Sequence, residues 1–147
     1  MRPRHFAVAT SLFAIACASR PPAPAFLVPG AAGSDAVAQA LAAAPLGPTE
    51  NIRAQPLITG EEASASVVQV RDREQPHVHT RYDLTVLLAK GHGTLWLDGI
   101  ARPMRAGDGV FIPKGTPHWF VNEGQEPAVA VVVFAPPFGG PDQAPVP

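Results

Sequence analysis

Three histidines are the residues of this sequence whose type and spacing favour chemistry. His77 and His79 are separated by one residue in the segment Gln-Pro-His-Val-His, and in extended backbone residues i and i+2 project to the same face. Their imidazoles therefore converge, and each offers a nitrogen to a divalent cation. The cation needs further ligands from other directions, and His118 is the candidate for the third. Such a site supplies Lewis-acid chemistry or, with iron, oxygen activation.

The remaining composition narrows the classes of function. The single cysteine forbids an intramolecular disulfide and a Cys-x-x-Cys pair, so a metal must be held by histidine and carboxylate. The formal net charge of −1 provides no basic footprint for nucleic acid. No serine nucleophile with a base and no phosphate-binding glycine loop is evident. We therefore expect a small-molecule ligand or substrate and no nucleic-acid partner.

The segment around His118 resembles the second motif of the cupin family. It carries that motif's residues at the family's spacing, namely Gly107, Pro113, Gly115, His118 and Asn122. The first motif is similar at His77, His79 and Gly91, with Arg71 in place of its leading glycine. The resemblance extends over about residues 51–134. It implies a small single-domain cupin, a jelly-roll β-barrel with a divalent metal inside its mouth.

The acidic ligand of the family's first motif is the point where this sequence departs from the pattern. Counting back from Gly91 puts Leu84 in the glutamate position, whereas counting forward from His79 puts Asp83 near it. A shift of one residue turns a strand side chain to the opposite face. We therefore consider Asp83 both as a fourth metal ligand and as a hydrogen-bonded carboxylate beside the strand.

The elements that must position these residues are short strands. Apolar runs alternate with Gly and Pro turns about every ten residues, which is typical of an all-β sandwich or barrel. The predicted strands cover residues 66–70, 85–89, 94–97, 109–112, 119–121 and 128–134. Before them, Ser34 or Asp35 could cap a short helix over residues 36–44, which we expect to pack weakly on the domain or not at all. The mixed-charge run from Arg71 to Glu74 is typical of a solvated loop.

The N-terminus has the pattern of an export signal. A basic start is followed by an apolar run over residues 6–16, too short for a permanent membrane span. Cys17 follows Ala-Ile-Ala, which resembles a lipobox and predicts a lipid-anchored protein, but a small-x-small cleavage site around Cys17 predicts a free product. The Pro-rich spacer after it favours the lipoprotein. The predicted division is a signal segment 1–17, a linker with a short helix 18–50, a barrel 51–136 and a Pro-rich tail 137–147.

Two classes of function fit these observations. The first is an extracytoplasmic metalloenzyme of the bacterial cell envelope. The small cupins that this sequence resembles include oxygenases, isomerases and decarboxylases, so we expect one of these activities. Its metal is zinc, manganese or iron on His77, His79 and His118, with Asp83 as a further ligand. The second is a non-catalytic protein that binds a small ligand or the metal itself, since a fold does not fix a function. The family resemblance also implies a homodimer.

Overall fold

The computed structural model describes residues 36–146. The predicted signal segment, Cys17 and most of the linker therefore lie outside the described residues. The elements, in chain order, are α1 (Ala36–Ala43), β1 (Ile52–Thr59), β2 (Ser64–Val70), β3 (His77–His79), β4 (Asp83–Lys90), β5 (His92–Leu97), β6 (Ile100–Arg105), β7 (Gly109–Ile112), β8 (His118–Asn122), β9 (Ala128–Ala135) and β10 (Gln143–Pro145).

The strands form two antiparallel sheets of five strands each. One has the order β1-β2-β9-β4-β7 and the other the order β10-β3-β8-β5-β6. The sequence prediction of an all-β, cupin-like barrel is thereby confirmed, and each of the six predicted strands falls within a strand of the structure. Alternate residues of β8 and β9 face inward because the side-chain period of a strand is two. Their inner faces carry Phe120 and Val132, both buried.

Two of the strands that the sequence did not predict, β1 and β6, lie at sheet edges. Pro56 interrupts β1 beside an irregularity in its register with β2, and Pro103 lies within β6. Proline lacks the N–H that a residue in a central strand donates to a neighbouring strand, so it is confined mainly to edges. The prolines and charged residues that obscured the strand pattern thus fit the edge positions.

The linker helix α1 packs on the outer face of the first sheet. Its Ala40 is buried with Val67 and Val129, and Val37 and Leu41 pack against the same cluster. After the helix, the side chain of Gln69 accepts a hydrogen bond from Leu46 N at 3.3 Å and donates one to Ala44 O at 2.9 Å. The helix and the residues after it are therefore docked on the barrel, a closer association than the weak packing expected from the sequence. Among the described residues, no helix has the length and apolarity to cross a membrane.

The residues after β9 also differ from the predicted tail. We call residues 136–146 the C-terminal segment. It turns back across the barrel, and its strand β10 pairs with β3, with Gln143 opposite His79 and Pro145 opposite His77. Phe138 contacts the rings of Tyr82 and Phe134, with centroids 5.4 and 5.1 Å away. The Pro-rich composition of this segment does not prevent it from adding an edge strand to an existing sheet.

Candidate metal site

The three predicted histidines meet inside the barrel. β3 and β8 are neighbours, and His77 lies directly opposite His118. His77, His79 and His118 are only 7%, 6% and 4% exposed, and one ring nitrogen from each lies within 4.8 Å of the others. Such a group fits a divalent cation, because the three imidazoles approach from two strands and leave other coordination positions open.

The second nitrogen of each imidazole is already bonded to the protein. His77 Nδ1 lies 2.7 Å from Gln75 O, and His118 Nδ1 lies 2.8 Å from Thr116 O. His79 Nδ1 lies 2.7 Å from the Asp142 carboxylate. Since carbonyl and carboxylate oxygens only accept hydrogen bonds, each Nδ1 must carry the proton. Each Nε2 is then the nitrogen with a lone pair for a metal, an arrangement typical of metal-ligating histidines.

The turn before β8 explains why His118 faces inward. Gly115 has a φ of +80°, a conformation that favours glycine, and its N–H donates to His79 O at 2.7 Å. Thr116 N donates to Pro113 O at 3.1 Å to close the turn. At the other end of β8, Asn122 donates to the carbonyl of Arg71 at 2.8 Å and accepts from Gly124 N at 3.1 Å. The cupin-like residues around His118 therefore fix the backbone that carries the ligand.

The structure does not bring Asp83 into the histidine group. Its carboxylate accepts a hydrogen bond from Lys114 N at 2.8 Å, so it ties the start of β4 to the loop after β7. Leu84, its neighbour, is 3% exposed and lines the interior. The alternation of faces along the strand explains why Asp83 is not a ligand as the motif suggested, because the inward position at the start of β4 belongs to residue 84. Among the described residues, the group of potential ligands within mutual reach contains only the three histidines.

Glu74 is an interior acid that the sequence analysis assigned to a solvated loop. Its carboxylate accepts from Phe120 N at 2.9 Å, and its own N–H donates to Phe120 O at the same distance. It lines the cavity that contains the histidines. Burial raises the pKa of this carboxyl, opposed by the nearby charge of His77, the Phe120 N–H and His79. The mixed-charge sequence concealed it, and only its position three residues before His77 could have drawn attention.

Asp142 is the second acid that the sequence analysis missed. Its side chain is 1% exposed, and besides the His79 bond it accepts from Arg81 N at 2.9 Å. Burial opposes ionisation of Asp142, but the bonds from His79 and Arg81 lower the pKa of its carboxyl overall. The Arg81 guanidinium donates to Gly140 O at 3.0 Å, so it holds the C-terminal segment rather than facing the interior. No local pattern could reveal Asp142, because its partner lies 63 residues away.

The histidines line a cavity of about 470 Å³. Its polar lining residues are the three histidines, Glu74, Gln75, Asp142 and Gln143, and its other walls are apolar. Ile52 and Phe138 line it while remaining 38% and 44% exposed. Gln75 and Gln143 also line it and are exposed, so the cavity opens between β1, the residues before β3 and the C-terminal segment. The volume falls in the range of about 300–1,000 Å³ that is usual for small-molecule pockets.

The buried site predicts a pH-dependent stability of the metal-free protein. Burial, with the nearby charges of His77 and His79 and against the Thr116 carbonyl, lowers the pKa of His118 to about 4. Below pH about 6.5, His118 is protonated in the unfolded chain but not yet in the folded chain. The free energy of unfolding therefore falls as the pH drops toward 4. Between pH 7 and 5 we expect this histidine to contribute a loss of about 2 kcal/mol. Urea unfolding at both pH values measures it, and His118→Gln should show the smaller pH dependence; equal dependence in both proteins would contradict the assignment.

The chain is similar in sequence and in fold to several known proteins. Residues 66–134 match the sequence profile of the Cupin domain family. An uncharacterised protein of Aquifex aeolicus is 35% identical over 96 residues, which cover 65% of this chain and 78% of that protein. Acireductone dioxygenase of Geobacillus thermodenitrificans is 33% identical over 72 residues, 45% of this chain but only 39% of the enzyme. Among solved structures, Streptomyces Pac13, a nucleoside dehydratase solved with uridine, superposes with a TM-score of 0.56 at 24% identity, covering 65% of this chain and 78% of that one.

Proposed function

The chain belongs to the cupin superfamily, and we propose that it is an exported metalloenzyme. In this proposal His77, His79 and His118 hold one divalent cation inside the barrel, and a small organic substrate enters the adjacent cavity. The bound cation supplies Lewis-acid chemistry or, if it is iron, oxygen activation. Zinc, manganese and iron all suit the imidazole donors.

The observation that carries the proposal is the hydrogen-bond pattern of the three imidazoles. Each Nδ1 faces an oxygen acceptor at 2.7–2.8 Å, so each of the three rings can turn its Nε2 toward a common ligand within one buried group. Three buried histidines without a common ligand would have no need to share this pattern. The arrangement is costly to assemble for structure alone, since apolar side chains would fill the same space without hydrogen-bond requirements.

Glu74 favours an enzyme over a simple binding protein. An enzyme needs a group that can exchange a proton near the open metal positions, whereas a binding protein needs only complementary walls. Glu74 lines the same cavity as the histidines, and burial raises the pKa of its carboxyl, a kind of perturbation that is common among the acid–base groups of active sites. We assign it the role of proton donor or acceptor to a bound substrate. The names of the dioxygenase and the dehydratase among the similar proteins also favour an enzyme.

The N-terminal sequence supports the extracytoplasmic part of the proposal. The basic start, the apolar run and the cysteine at position 17 are typical of bacterial export, with or without a lipid anchor. Metal loading would then take place outside the cytoplasm, where the site takes whichever available cation binds most tightly. Fractionation of a bacterium that expresses the full sequence, with and without Cys17→Ala, tests both the export and the anchor.

The experiment that tests the metal site is elemental analysis of protein purified without chelator. We expect close to one equivalent of zinc, manganese or iron per chain. The matched control is the double variant His77→Ala/His118→Ala, which should retain less than about a tenth of that amount. Loss of the metal must be accompanied by a folded far-ultraviolet spectrum, because an unfolded variant would lose metal for another reason.

The identity of the metal then directs the search for activity. Iron would call for assays of oxygen consumption, and zinc or manganese for assays of isomerisation, dehydration or decarboxylation. Protein that holds no metal as purified, and takes up none when titrated with each of these cations, would overturn the proposal. A stoichiometric metal with no change in kinetics on replacing Glu74 by glutamine would retain the metal site but remove Glu74 from the mechanism.

A further inference from the structure

We propose that the substrate of this site is an amphipathic molecule, with an uncharged apolar body and one polar head that reaches the histidines. This inference rests on the proposed function for the metal-bound head, whereas the apolar body is inferred from the cavity alone. It excludes polyanionic and sugar-like molecules as substrates.

The first argument is the chemistry of the cavity walls. Away from the histidines the lining consists of hydrocarbon, contributed by the inner faces of β2, β4, β5 and β9, with Leu88, Leu95 and Val132 as examples. Sugar hydroxyls placed against such walls would lose their hydrogen bonds to water without gaining partners. An alkyl or aromatic body gains free energy there, because burial of apolar surface is favourable.

The second argument is the sign of the charges that face the cavity. Glu74 and Asp142 are the charged side chains of the lining, and both are acidic. Among the described residues, no lysine or arginine lines it. A phosphate or a second carboxylate at the other end of the substrate would therefore be buried against hydrocarbon, with no cation beside it. One head group can be bound by the metal, but an anion at the far end of the substrate cannot be compensated.

The third argument is the distribution of polar groups along the cavity. Glu74, Gln75, Asp142 and Gln143 all belong to segments adjacent to β3 or paired with it. The polar groups therefore surround the histidines and leave the rest of the volume apolar. A molecule that satisfies both ends must place its polar head at β3 and its body between the two sheets.

The experiment uses the zinc-loaded protein and a series of hydroxamic acids, whose head chelates zinc. Acetohydroxamic, hexanohydroxamic and octanohydroxamic acid differ only in the length of their alkyl chain. We expect calorimetry to show affinity rising about fourfold per added methylene, and at least 100-fold over the series. Suberic acid monohydroxamate, of the same length as the octanoyl compound but with a terminal carboxylate, should bind no better than acetohydroxamic acid.

A matched pair of variants tests whether the alkyl chain of the hydroxamate lies in the cavity. Ala130 lines the cavity, and Ala101 is exposed in β6, opposite Trp96. Ala130→Leu should lower the octanohydroxamate affinity at least tenfold and leave acetohydroxamate within twofold, whereas Ala101→Leu should change neither. An affinity that does not depend on chain length, or equal binding of the suberic compound, would overturn the inference.

A metal-independent measurement separates this inference from the proposed metal site. Nile red, an uncharged apolar dye, should bind the His77→Ala/His118→Ala variant with enhanced fluorescence and be displaced by octanol. If the wild-type protein holds no metal but the dye binds and is displaced by octanol, the metal proposal fails and the apolar substrate class stands. If the metal is bound but the dye and the alkyl chain are not, only the substrate class fails.

Discussion

Replacing Asp142 by alanine is expected to weaken metal binding 10- to 100-fold, the range usual for loss of a partner that orients a metal-ligating histidine. Asp142 accepts the Nδ1 proton of His79 at 2.7 Å and thereby holds the Nε2 lone pair ready for the cation. Without it, the ring can adopt the other tautomer or rotate away. The C-terminal segment also loses the bond from Arg81 N, so β10 should pair less firmly with β3.

Two measurements distinguish positioning from a general loss of structure. Metal affinity is measured by competition with a chelator, and the tautomer of His79 by the nitrogen chemical shifts of its ring. Asp142→Asn, which keeps an oxygen acceptor without the charge, should recover part of the affinity. The control is Asp83→Ala, which removes a half-buried carboxylate bonded to Lys114 N and should change the affinity less than twofold. An unchanged His79 tautomer and unchanged affinity in Asp142→Ala would refute the role of Asp142, and a large loss in Asp83→Ala would restore Asp83 as a ligand.

Replacing Gly93 by alanine is expected to destabilise the fold by about 3 kcal/mol or more, at the upper end of overpacking effects. A Cβ at this position would collide with the carbonyl oxygen of Val121 and lie 2.6 Å from Cζ of Phe120. Gly93 is opposite Asn122 in the pairing of β5 with β8. The backbones of β5 and β8 must therefore move apart to accommodate the methyl group. Because β8 carries His118, this movement should also disturb the metal site.

The comparison for this prediction is Gly109→Ala in β7. There the nearest atom to an added Cβ is Val86 O at 3.5 Å, an ordinary contact, so the change in unfolding free energy should be below about 1 kcal/mol. Urea denaturation of both variants, together with the metal content of the folded fraction, measures the difference. Equal stabilities for the two variants would show that β5 and β8 can separate without cost.

The parts of the site that could be predicted from sequence are those encoded locally. His77 and His79 face one way because they are two residues apart on a strand, and the turn that directs His118 inward requires Gly115 at a positive φ. Such patterns occupy a few adjacent positions. The strands with strong apolar runs are predictable for the same reason, whereas Pro56 and Pro103 obscured the edge strands β1 and β6.

The parts that could not be predicted depend on contacts between distant residues. Asp142 reaches His79 across 63 positions, and Phe120 bonds to Glu74 across 46. A carboxylate in a polar or Pro-rich stretch is most often solvated, and nothing in its neighbours signals that a sheet will close over it. At the fourth position of the family's first motif, the sequence left Asp83 open as a ligand or as a hydrogen-bonded carboxylate. The alternation of the strand turns Leu84 inward instead.

The outer surface of β5 and β8 carries a pair of chromophores. The chain contains two tryptophans, Trp96 and Trp119, and they stack with centroids 5.3 Å apart and planes 6° from parallel. Indoles this close couple their electronic transitions, so their circular dichroism depends on the angle between them. Trp119 adjoins His118 in β8, and any rotation of that strand on metal binding changes the coupling. The unlabelled protein therefore contains its own optical reporter of the state of the strand that bears His118.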